Sequence, residues 1–143
     1  MPVGGFEPQT DIRLAVVPAE AAVEGTPTIA ELGLLAVPDG ANFQLELVSV
    51  GCVMHTLPID AGGVTVDIEW CDDSASDAVT DLLAGYDLTA GGSTVLVYNQ
   101  IWRGSQILDP GDAVNAEFAT DGTISTPGQG LAFIVEFRVL KHS

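Results

Sequence analysis

Strict two-residue alternation of apolar and polar side chains is the feature that most narrows what this chain can fold into. Val64, Val66, Ile68 and Trp70 alternate with Thr65, Asp67 and Glu69. Successive side chains on a strand point to opposite faces, so this pattern predicts a strand with one face in a core and one in water. The C-terminal segment repeats it. Leu131, Phe133, Val135, Phe137 and Val139 share one face, and Ala132, Ile134, Glu136, Arg138 and Leu140 the other. The apolar face of this strand is predicted to be core, and with that face fully buried Phe133→Ala costs about 3 to 5 kcal/mol.

Further strands are predicted over Ile12–Val17, Ile29–Val37, Phe43–Met54, Thr94–Trp102 and Ala113–Thr120, with a weaker one within Val79–Leu88. In Phe43–Met54 the apolar phase slips from Phe43, Leu45 and Leu47 to Val48, Val50, Cys52 and Met54. A bulge near Ser49 explains the slip, as does burial of both faces. Turn residues separate the segments: Pro38-Asp39-Gly40, Ala61-Gly62-Gly63, Ala90-Gly91-Gly92, Asp109-Pro110-Gly111-Asp112, Asp121-Gly122 and Thr126-Pro127-Gly128. Pro110-Gly111 suits a type II turn, since Pro presets φ at the first central position and Gly accepts positive φ at the second. The one helical competitor is Ser76–Ala84, with Ser74 or Ser76 as its cap. The expected fold is all-β: an antiparallel β-sandwich of jelly-roll type with about eight strands and little or no helix.

Length and charge bound the function. A chain of 143 residues is expected to form one domain, here 11–143, behind an N-terminal arm, 1–10, whose single aromatic is Phe6. Twenty acids against four basic residues leave a net charge of −16, yet 47% of the chain is hydrophobic. Disordered acidic tails combine high charge with low hydrophobicity, so this chain should fold. Arg13, Arg103, Arg138 and Lys141 cannot form the basic stripe that nucleic acid or an anionic membrane requires. The opening residues show no basic, then apolar, secretory pattern, and the expectation is a chain made in the cytoplasm.

Candidate chemistry is sparse. His55 and His142 are the only histidines, and no Gly-x-Ser-x-Gly elbow accompanies them. Lys141, the only lysine, follows no phosphate-cradling glycine loop. Asp67 and Glu69, two apart on one strand, place their Cα atoms about 6.5 Å apart, a spacing that overlaps the carboxylate pairs of glycosidases. With 20 acids in the chain such pairs arise by chance, and the expected role of both is a solvated strand face. The acidic run Asp67, Glu69, Asp72, Asp73, Asp77, Asp81 and Asp87 contains the oxygens that calcium favours, but Asp72–Asp77 lacks the EF-hand pattern. Cys52 and Cys71 are either a cross-strand disulfide or two small buried thiols. No catalytic, cofactor or metal-ligating role is assigned. Trp102 and Arg103, with Phe6, are the candidate interface residues; the alternative for Arg103 is a strand-end side chain lying over an aromatic.

Three segments carry a resemblance: Glu69-Trp70-Cys71-Asp72-Asp73-Ser74-Ala75, Ile107-Leu108-Asp109-Pro110-Gly111-Asp112, and Thr126-Pro127-Gly128 running through to Glu136. Across Ala41–Lys141 this pattern of strands and turns resembles the small jelly-roll virion proteins of tailed bacteriophages. That family serves as capsid decoration (cement) proteins or head-fibre bases, often as trimers. The resemblance implies a non-enzymatic homotrimer, without cofactor, on the outer capsid surface and bound to the major capsid protein. It brings no catalytic residues. A carbohydrate-binding or host-adhesion module is the alternative, because one fold hosts many functions.

Overall fold

The computed structural model describes residues 11–19, 30–56, 59–60, 64–88, 97–120, 124–126 and 129–141. The strands are β1 (Arg13–Pro18), β2 (Ala30–Ala36), β3 (Phe43–Val53), β4 (Ile59–Asp60), β5 (Val64–Asp72), β6 (Ala78–Asp87), β7 (Asn99–Leu108), β8 (Ala113–Thr120), β9 (Ile124–Thr126) and β10 (Ala132–Lys141). They form one four-stranded sheet in the order β1-β10-β3-β7, a second in the order β2-β8-β5-β6, and a small β4-β9 pair. Every pairing is antiparallel. The fold is therefore all-β, as the alternation predicts.

The two sheets face each other across one core. Leu47, Val50, Phe133 and Val135 come from the first sheet, and Val66, Ile68, Val114 and Phe118 from the second. Phe118 and Phe133 meet across the layer with ring centroids 5.7 Å apart and tilted by 56°. That offset geometry suits the ring quadrupoles and adds about 0.5 to 1.5 kcal/mol beyond burial. The inward faces match the predicted phases of β5 and β10.

The slipped phase of β3 has both predicted causes. Val48 is an extra residue, because Ser49 pairs with Glu136 while Leu47 pairs with Phe137. Leu47 through Cys52 are also buried without interruption. Gly51 is required there: a Cβ at this position would lie 2.1 Å from the ring of Tyr98, which lies across the backbone.

One expectation shifts and two open alternatives close, in favour of the strand within Val79–Leu88 and of free cysteines. The strand expected over Thr94–Trp102 overlaps β7 at Asn99–Trp102, but β7 runs on to Leu108, and Thr94 to Leu96 lie outside the described residues; the polar centre of β7, Arg103 to Gln106, is bulged against β3, which erases the alternation that marks a strand. The helical competitor at Ser76–Ala84 is not a helix: β6 occupies Ala78–Asp87, and the only helical turn among the described residues is Asp73–Ala75. That turn is capped by Asp72, which accepts from the Ser74 amide at 3.0 Å. Cys52 and Cys71 are both free, one in the core beneath the first sheet and one on the second.

The turn Asp109-Pro110-Gly111-Asp112 ties one end of the sandwich together. Gly111 has φ +96° and the Asp112 amide donates to the Asp109 carbonyl at 2.9 Å, in keeping with the predicted turn. Asp112 is only 1% exposed. Its carboxylate accepts from the Asp73 amide at 3.0 Å, the Asp109 amide at 2.9 Å and Trp70 Nε1 at 3.3 Å. One buried acid thus joins the β5–β6 and β7–β8 turns, its desolvation offset by three donors.

Candidate functional site

The outward faces of the two sheets differ in chemistry. On the first, the register aligns successive rungs. Val16 on β1 faces Ile134 on β10, which faces Gly51 on β3, where Tyr98 lies over the glycine. Val16 is 64% exposed, and Tyr98 is also exposed. The next rung is Leu14, Glu136, Ser49 and Arg103. Leu14 is likewise 64% exposed, and Ile12 continues the same side of β1. The third rung is Arg138, Glu46 and Ile107. Alternate residues Ala15 and Val17 pack on the core, so β1 carries apolar residues on both its covered and its exposed side.

Glu46 is the polar anchor of this face. It accepts from Ser105 Oγ at 2.6 Å and from Arg138 Nη1 at 3.0 Å, the only ion pair among the described residues. The Ser105 hydrogen bond first, and then Arg138, hold its carboxyl below the ordinary value.

The candidate interface residues separate. Arg103 is exposed on the outer face, on the rung shared by Leu14, Glu136 and Ser49, and forms no ion pair among the described residues. Trp102 is half-buried against the core with its ring against Gly104, where an added Cβ would come within 2.7 Å. Phe6 lies outside the described residues. The sequence predicts a strand over Ile12–Val17, but it does not show that β1 is an edge strand with Ile12, Leu14 and Val16 on an uncovered side.

The second sheet presents acids. Glu31 on β2 stands opposite Glu117 on β8, which stands opposite Asp67 on β5; Glu69 on β5 stands opposite Asp81 on β6. Carboxylate oxygens of Glu31, Glu69 and Glu117 lie within 4.8 Å of one another, as do those of Asp67, Glu69 and Asp81. Asp67 has a donor, the Gly85 amide at 2.6 Å. Glu69 corrects the expectation of a solvated acidic face, for it is only 8% exposed. Burial, then a hydrogen bond to Glu117, then the charges of Glu117, Asp81 and Glu31 push its carboxyl up to about 7. Cys71 on the same face is raised by burial and then by Glu69 and Glu31, against a lowering hydrogen bond from Asn115. Cys52, in the core, is pushed up to about 11 by burial. In the acidic turn that follows, Asp72 serves as the cap already described. His55 is exposed just past the end of β3.

The architecture defines an all-β protein of two main sheets, one with an outer face that mixes exposed apolar side chains with arginines and the other with an acidic outer face. No family model matches the chain, and neither a curated protein nor a solved structure matches it. No helix among the described residues is long and apolar enough to cross a membrane.

Proposed function

We propose that the protein is a structural jelly-roll module that acts by binding, as a homotrimeric decoration protein on the outside of an assembled phage capsid. The observation that carries this reading is the apolar side of β1, with Ile12, Leu14 and Val16 in water although they lie beside a full core. Solvent-facing apolar stripes on a strand at a sheet edge are characteristic of surfaces covered by a partner. Arg103, on the same sheet and without an ion pair among the described residues, supplies a cation in an otherwise acidic chain, suited to acids on a neighbouring subunit.

The strand pairing supports the jelly-roll assignment. β1 pairs with β10, β2 with β8, β3 with β7, and β5 with β6, so the chain is a long antiparallel hairpin wrapped into two sheets. The sequence resemblance to small phage virion proteins supplies the choice of partner. A decoration protein that binds the assembled lattice and not free subunits stabilises the shell by mass action.

Mixing the purified protein with undecorated capsids tests the proposal. Saturable binding with a raised capsid melting temperature is expected, together with a trimeric mass in solution. A monomer that leaves capsids untouched, or one that binds glycans in their absence, overturns it.

A further inference from the structure

All four basic residues of the chain lie on first-sheet strands: Arg13 on β1, Arg103 on β7, and Arg138 and Lys141 on β10. The second sheet has none. On its outer face Glu69 is met by Glu31 from β2, Glu117 and Asn115 from β8, Asp67 and Cys71 from its own strand, and Asp81 from β6. Directly opposed like charges on neighbouring strands repel. The pairs Glu31 with Glu117, Glu117 with Asp67, and Glu69 with Asp81 therefore act against the sheet when all are ionised.

Glu69 has the least access to water among them, and no cation or backbone amide of the described residues is among the groups that act on its carboxyl. Its hydrogen-bond partner is Glu117, one step along the diagonal of the β5–β8 register. Two carboxylates have only acceptors to offer, so this contact is a hydrogen bond only when one of them carries a proton. We infer that Glu69 retains its proton in mildly acidic water and donates it to the Glu117 carboxylate, forming a clasp between β5 and β8 that alkaline conditions release.

The direction of the pH effect follows from linkage. Buried Glu69 binds its proton more tightly in the folded chain than in the unfolded one. Its contribution is therefore complete below the ordinary value of 4.5 and is lost as the pH rises through about 7. This is opposite to the usual carboxylate contribution, which is lost on acidification.

Urea unfolding of the full chain and of Glu69→Gln at about pH 5 and about pH 8 tests the inference. Gln has nearly the shape of the protonated acid, can donate to Glu117, and cannot ionise. Between these conditions the folded-to-unfolded ratio of the wild type should fall relative to the variant by on the order of tenfold to a hundredfold. A variant with the same pH dependence as the wild type overturns the clasp. Carbon NMR of the Glu69 carboxyl in the unaltered chain gives an independent reading. A midpoint near neutrality is expected, and a carboxylate already ionised at about pH 5 overturns the inference. Calcium protection of the wild type in alkaline buffer that disappears in Glu69→Gln, with no near-neutral midpoint, also overturns it and assigns the cluster to a metal.

Discussion

Glu46 and Glu69 are the same residue type on outward positions of two facing sheets, and the protein treats them oppositely. Glu46 receives a hydroxyl and a guanidinium, which favour its anion; Glu69 receives other carboxylates and little water, which favour its acid. Strand alternation put both on outer faces. What the neighbouring strands place beside them sets their charge.

The comparison predicts a stability optimum in mildly acidic buffer. Glu46 contributes above its ordinary value of 4.5 and loses that contribution as the pH falls through its lower folded-state value. Glu69 loses its contribution on the other side, as the pH rises through about 7. A plain bell centred on neutrality in a thermal melt series would break the contrast.

Mutations sharpen it in order of size. Phe133→Ala removes the ring that both sheets share, and should destabilise by about 3 to 5 kcal/mol in urea melts, loosening the two faces together. Asp112→Ala leaves the Asp73 and Asp109 amides and the Trp70 indole without their acceptor, at about 3 kcal/mol. Amide hydrogen exchange should then rise first at the β5–β6 and β7–β8 turns, leaving the β1 edge less affected. Glu46→Gln should cost no more than about 1 kcal/mol, the scale of a solvent-reachable ion pair, and should flatten only the acidic limb of the pH profile. Leu14→Ser with Val16→Ser should change monomer stability by about 0.5 kcal/mol or less. Under the proposed function, the self-association and capsid binding expected of the unaltered chain should nonetheless be abolished in this variant, as read by light scattering and capsid pull-down. Retention of both activities would break the assignment of the first sheet as the contact face.

Much of the architecture was legible in the sequence because local pattern and tertiary role agree. Val64 to Trp70 and Leu131 to Val139 alternate because they line one core, and Pro110-Gly111 turns where its residue types demand. The far end of β7 was missed because its bulged centre, Arg103 to Gln106, breaks the alternation. The weak apolar pattern of Val79 to Leu88 fits a strand or a short helix until β5 supplies its partner. The acidic cluster was visible as composition alone. Glu31, Glu69 and Glu117 are far apart in the chain, and only the β2-β8-β5 order brings them within reach of one another. The outward apolar side of β1 was likewise hidden, since the run Ile12–Val17 marks a strand without showing which side faces inward.

Among the described residues every lysine and arginine lies on one sheet while Glu31, Asp67, Glu69, Asp81 and Glu117 lie on the other, so charge is distributed unevenly across the thickness of the sandwich. A charged lattice nearby would exert a torque before any contact forms, turning the basic sheet toward a negative wall. Collisions that lead with the β1 edge would thus be enriched, and raising the salt would remove that bias while leaving the apolar contact itself intact.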